Sequence, residues 1–263
     1  MSMIDGNATP LAGHVLGEAL RRFLGDKMFW SYAVPLALLL AALSAFLPKH
    51  QTVAATIAFC FTLDHWLKRM LVPDWDKRIP AKAKWMQSFS WASVGFCLLY
   101  GLGLMLLPLA LAFSVGLGFR SLTEVGGMLA LIVFQSITMI VLAAVFGSAL
   151  LFLPARVVGL DWNVGDAVRS AAGLRGTIIA VALTCSAISI GGMVLGLATI
   201  VGWNIARLAG GPWSIFAGRA VVVFVDMLAL YVVAHSLSRL FVARTRWTPP
   251  PLPGDHPEPS LTA

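Results

Sequence analysis

Long apolar stretches alternate with short polar ones along most of the chain. Six of them run from about residue 29 to 47, 52 to 71, 90 to 117, 122 to 153, 176 to 201 and 214 to 241. Each approaches or exceeds the roughly 20 residues that an α-helix needs to cross a bilayer. None alternates apolar and polar residues with a period of two, as a strand of a membrane barrel would. Continuous helices, which satisfy every backbone N–H and C=O internally, are the expected form. The predicted class is all-α: a polytopic membrane protein of six transmembrane helices.

Two shorter segments carry a different pattern. Thr9 and Pro10 offer an N-cap followed by proline at the first helical position. Leu11, Val15, Leu16, Ala19, Leu20, Phe23 and Leu24 then share one helical face, with Glu18, Arg21 and Arg22 opposite. In the segment Asn163 to Gly173, apolar side chains fall at 164, 167, 168, 171 and 172, the stripe of a half-buried helix. Asn163 suits an N-cap, Asp166 can answer it in a capping box, and Gly173 can take the left-handed conformation that ends a helix. Both segments are predicted to be amphipathic helices at the cytoplasmic interface, about 10–24 and 163–173. Leu16-Gly17-Glu18-Ala19-Leu20-Arg21 and Val164-Gly165-Asp166-Ala167-Val168-Arg169 also match, and Gly25 and Gly173 close the two segments. This repeat points to an ancestral duplication, against the alternative that basic interfacial helices converge on such a pattern.

Turn signals punctuate the rest. Pro48-Lys49-His50-Gln51 reads as a tight turn, and the loop 72–88 holds Pro73, Pro80 and a cluster of charge. Pro108 is expected to kink the third span, and Ser121-Leu122-Thr123-Glu124 to cap the fourth. Residues 1–246 form one expected domain, and the proline-rich stretch 247–263 reads as a disordered cytoplasmic tail. The first apolar run begins 28 residues in without a small-residue cleavage site and reads as a retained span.

Composition agrees with the pattern: 59% of residues are hydrophobic and 12% charged, about half the charged share of a soluble domain. The net charge of +7 reads as a topology signal, because its distribution is lopsided. With a cytoplasmic N-terminus, fifteen of the nineteen basic residues fall inside, and Lys49, Arg120, Arg207 and Arg219 fall outside. Such a bias predicts six spans with both termini cytoplasmic, in a bacterial inner membrane. Arg21, Arg22, Lys77, Arg78, Lys82, Lys84 and Arg169 are candidate contacts for anionic lipid headgroups. Trp30, Trp66, Trp91, Trp203 and Trp213 fall near span ends, as an aromatic belt requires.

Asp226 is the one acid placed near the middle of a span. A carboxylate there is costly and should face the bundle interior. Depth counting gives it Ser186 and Ser189 on the fifth span and Gln135, Ser136 and Thr138 on the fourth as neighbours. The candidate intramembrane polar cluster is Asp226, Ser189, Ser186, Gln135 and Thr138, with Arg219 two turns away toward the outer surface. It would serve as a proton or ion relay, as the polar floor of a cavity, or as a hydrogen-bonded pin between helices. His65 and His235 both lie toward the cytoplasmic ends of inward-going spans and share an expected depth; interfacial polar groups beside Arg69 and Arg239 are the favoured reading, and a haem between them the less favoured one. Cys60, Cys97 and Cys185 are widely spaced and read as small buried hydrophobes. Gly191, Gly192 and Gly196, with Ala187, suit close helix packing, and Gly101 and Gly103 suit bending. No nucleophile elbow, Walker loop, HExxH or dinucleotide fingerprint is present.

Leu153-Pro154-Ala155, a short gap and then Asn163 to Gly173 leading into a span resemble a pattern in bacterial six-span membrane proteins of the YciC-like group. The same pattern is similar to the membrane region attached to some glycerophosphodiester phosphodiesterases. Val168 and Ser170 depart from it, standing where an aromatic and a bulky polar residue are usual. The resemblance implies an inner-membrane protein without an assigned activity and carries over no catalytic residue. The expected function is a non-enzymatic scaffold or regulator that binds membrane lipid, a protein partner or a second copy of the chain. The alternative is a small transporter or channel built around Asp226. Neither cofactor nor nucleic acid is expected.

Overall fold

The computed structural model describes residues 12–46, 51–72, 90–116, 125–205 and 211–249. Among them are nine α-helices and no strand. They are α1 (Ala12–Gly25), α2 (Lys27–Phe46), α3 (Gln51–Leu71), α4 (Trp91–Ser114), α5 (Val125–Phe146), α6 (Phe152–Val157), α7 (Val164–Ser170), α8 (Arg175–Ile205) and α9 (Pro212–Thr245). A 3-10 turn, Gly147–Leu151, joins α5 to α6. Among the described residues, five stretches are long and apolar enough to cross a membrane: Phe29–Phe46, Trp91–Ser114, Leu129–Val157, Arg175–Asn204 and Pro212–Thr245. The segment expected as a sixth span is helical as α3, with 21 residues. Asp64, Lys68 and Arg69 crowd its last two turns, and it does not join those five.

α9 is the post around which the others stand. It packs against α8 and α2 most extensively, then α3, α1 and α6. Pro212 starts it at a position where a missing N–H costs nothing. Its 34 residues span about 51 Å, well beyond a hydrocarbon core of about 30 Å. The C-terminal part is sealed: Tyr231, Val232, Ala234, His235, Ser236, Leu237, Ser238, Leu240 and Phe241 are all buried. Phe29 of α2 fits against it, fully buried, with ring centroids 5.2 Å from Tyr231 and 5.8 Å from Trp66.

Toward its other end α9 crosses α8 closely. A methyl group on Gly196 would stand 2.8 Å from the Gly218 carbonyl oxygen, and one on Gly218 would stand 2.7 Å from that of Gly196. One on Gly192 would meet Val225 at 2.7 Å. Of the small residues expected to pack helices, Gly192 and Gly196 do so, whereas Gly191 faces open space. Gly101 of α4 meets Thr56 of α3, and α4 runs through Pro108 as one helix.

The two shorter segments correct the sequence reading in detail. Asn163 caps α7 and forms the expected capping box, each bond 2.9 Å, and Gly173 has φ of 84°. The helix itself is shorter than expected, Val164–Ser170. Only Ala167 and Ala171 of its apolar stripe are buried, and Val164 and Ala172 are exposed. Four turns of α1 carry the matching motif, and there Val15 and Ala19 are buried. Trp66 is a further correction: it lies in the core, 4% exposed, rather than in a surface belt. The capping box at 121–124, the loop 73–89 and the tail beyond 249 lie outside the described residues.

Candidate functional site

Where α3, α4, α5, α8 and α9 converge, they border a half-open cavity of about 380 Å³. Its walls are mostly apolar, with Phe59, Leu63, Phe96, Met139, Leu150 and Leu237 among them. Asp226, Ser189, Ser186 and Gln135 supply polar groups, so four of the five residues of the expected cluster share one wall system. Asp226 is half-buried and faces the Ser189 hydroxyl. The Arg219 guanidinium acts on it as an opposing charge from two turns along α9. The close α8–α9 crossing through Gly192, Gly196 and Gly218 is what sets Ser189 beside Asp226.

Two members of the cluster do not behave as expected. Thr138 is buried but does not line the cavity, and its hydroxyl has no hydrogen-bond partner among the described residues. Ser186 lines the cavity yet donates to the Ala182 carbonyl of its own helix at 2.9 Å. Ser136 likewise bonds back to Ile132, at 2.6 Å. These residues had the right depth, but side-chain rotamers on α5 and α8 decide where a hydroxyl points.

The cysteines also gather here. Cys60, Cys97 and Cys185 all line the cavity, and the thiols of Cys60 and Cys97 are hydrogen-bonded to each other across α3 and α4. Wide spacing in sequence did not mean separation in space. All three are free thiols. Among the described residues no group of three or more His, Cys, Asp and Glu is placed to hold a metal ion.

Sequence reasoning missed a second acid inside the bundle. Asp64 of α3 is 1% exposed and Lys68 is 2% exposed. Lys68 Nζ donates to Asp64 Oδ2 at 2.7 Å, and the Ser90 backbone N–H donates to Asp64 Oδ1 at 3.3 Å. The pair therefore ties α3 to the start of α4, where Ser90 is the N-cap. Asp64 and Lys68 stand at an i, i+4 spacing, which was legible; their burial was not, because Lys68 read as one more topology charge.

The expected headgroup residues divide into three groups. Arg21 and Arg22 line a second concavity, beside α1, together with Arg69, Arg239, His65 and His235. Arg169 lies apart on α7, where it bonds Asp166 at 2.6 Å. The Asn163 backbone N–H and the Arg169 guanidinium hold the Asp166 carboxyl below its ordinary range. Lys77, Arg78, Lys82 and Lys84 lie outside the described residues. α1 is lashed to α9 by Glu18, which takes a hydrogen bond from Arg239. Burial works to raise the Glu18 carboxyl, and the hydrogen bond and charge of Arg239, with Arg22 nearby, outweigh it and leave the group below its ordinary value. Comparison of the chain with protein-family models, with curated proteins and with solved structures finds no match in any of the three.

Proposed function

We propose that the chain is a non-enzymatic integral membrane protein of six spans, both termini cytoplasmic, that works as a small transporter or channel through the cavity around Asp226. The carrying observation is that Asp226, Ser189, Ser186 and Gln135 line one largely apolar space of about 380 Å³. A carboxylate at membrane depth is expensive to keep, and lining an internal cavity is its usual reason for being there. Asp226 lies about 21 Å along α9 from its first residue, which is mid-bilayer for a helix that starts near one surface. The proposed sixth span is α3, whose charged end would reach the cytoplasmic interface, beside α1. The resemblance to YciC-like proteins suggests a bacterial inner membrane.

The test is proton uptake by proteoliposomes under an imposed membrane potential. Wild-type protein should carry protons, and Asp226→Asn should abolish the flux while unfolding at the wild-type temperature in detergent. If wild type carries none, the relay reading falls. A scaffold or regulator that binds lipid or a protein partner then takes its place, favoured by the grouping of Arg21 and Arg22 beside α1. The topology has its own check: a reporter fused after Lys84 should behave as cytoplasmic, and a periplasmic signal overturns six spans.

A further inference from the structure

At the end of the bundle where α1 lies across α9, a cleft of about 780 Å³ opens between α1, α2, α3 and α9. It uses other faces of α3 and α9 than the Asp226 cavity does, and nothing in it depends on that cavity being a transport site. Arg21, Arg22, Arg69 and Arg239 line it, with His65 and His235. Among the described residues, two carboxylates stand beside this set. Asp26 accepts from the Tyr231 hydroxyl at 2.8 Å, and Glu18 holds Arg239 and lies 3.9 Å from Arg22. Among these described residues positive charge is in surplus.

His235 sharpens the point. It is 2% exposed, and its Nε2 has no hydrogen-bond partner among the described residues. A buried polar atom left in that state carries its full desolvation cost. The Arg22 and Arg239 guanidiniums outnumber the Glu18 carboxylate around it, so the partner that fits is an anion accepting from Nε2–H. Planar guanidiniums match the oxygens of a phosphate in paired hydrogen bonds. We propose that this cleft binds a phosphate-bearing anion, with Arg22, Arg69 and His235 as its donors. The phosphate arrives either on a lipid headgroup or on a soluble molecule.

The test uses the full chain in phosphatidylcholine nanodiscs and reads the thermal unfolding midpoint. Two probes are titrated: phosphatidylglycerol in the disc, and inorganic phosphate in the buffer at constant ionic strength. A rise with phosphatidylglycerol alone assigns the site to a headgroup; a rise with inorganic phosphate as well assigns it to a soluble phosphate. Arg22→Gln and Arg69→Gln should each raise the half-saturating amount by about tenfold or more, the loss expected for a charge-assisted hydrogen bond. Arg169→Gln, on α7 outside the cleft, should respond as wild type. His235→Leu should unfold in neutral discs no earlier than wild type and lose the response, which a purely structural histidine would not do. Arg22 is exposed, so its variant stays informative even where Arg69→Gln fails to fold. The proposal is overturned if neither probe shifts wild type, if the Arg22 variant responds normally, or if Arg169→Gln loses as much.

Discussion

Asp64 and Asp226 are both carboxylates within the helical bundle, and their surroundings differ in the respects that decide what an acid can do. Asp64 is 1% exposed and closely held: Lys68 at 2.7 Å and the Ser90 N–H at 3.3 Å take its two oxygens, and it lines neither of the two cavities described above. Asp226 has the Ser189 hydroxyl, a distant guanidinium in Arg219, and empty space in front of it. A fully partnered acid fixes helices relative to one another. An acid that faces one hydroxyl and a cavity retains oxygens for something that comes and goes. The same residue type is thus structural in α3 and available for chemistry in α9.

The sharpest way to break this contrast is to remove the Asp64 partner. Lys68→Met leaves a buried carboxylate uncompensated, which costs about 3–5 kcal/mol. For a chain of this size that lowers the unfolding midpoint by roughly 10 °C or more, measurable in detergent by tryptophan fluorescence. Asp64→Asn combined with Lys68→Met should recover most of the loss, because the unpaired charge is gone. A Lys68→Met protein as stable as wild type would show that Asp64 is not held as a closed pair.

A smaller effect is expected where the helices that carry Asp226 and Ser189 cross. Gly196→Leu forces side chain into the Gly218 backbone and Val222, overpacking that costs about 1–3 kcal/mol. Gly191→Ala, facing open space, should unfold as wild type does. Equal stability of the two variants would separate the Ser189–Asp226 contact from the crossing that is taken to make it.

How far these features were legible follows from the same residues. The apolar runs gave the helices and their approximate ends, since length and continuity of hydrophobicity are local properties. Asn163, Asp166 and Gly173 gave their cap and turn because each acts within four residues of itself. Depth counting along α5, α8 and α9 brought Gln135, Ser186 and Ser189 to the level of Asp226. It could not say that Thr138 turns away, since azimuth depends on how helices rotate against one another. Nor could it bring Cys60 to Cys97, or bury Lys68, because both outcomes depend on how α3 meets α4. The cleft by α1 was hidden for the same reason: Arg22, Arg69 and His235 stand on three helices far apart in sequence.

Asp226 itself should be inexpensive to change. Asp226→Asn keeps an acceptor for Ser189 and removes a charge from a largely apolar surround, so the expected change in stability is under about 1 kcal/mol, of either sign. Thermal unfolding of the variant in detergent measures it. A loss as large as that of Lys68→Met would make Asp226 a second structural pin and erase the contrast with Asp64.

Glu18 marks the weak end of the series, a carboxylate at the rim instead of within the bundle. Its folded carboxyl lies below the ordinary value of 4.5, with burial opposed and outweighed by Arg239. A depressed acid contributes stability that is complete above its ordinary value and is lost as pH falls through the lowered one. Acidification from pH 6 to pH 3 should therefore loosen α1 from α9, by less than about 1 kcal/mol because the side chain is 30% exposed. Hydrogen exchange of the α1 amides reads this locally, apart from Asp166 on α7, whose carboxyl is also depressed. Glu18→Gln should exchange faster than wild type at pH 6, and the difference should shrink as pH falls below the ordinary carboxyl value. Parallel pH profiles for the two proteins would mean that the Glu18–Arg239 bond does not hold α1, and that Val15 and Ala19 dock the helix by burial alone.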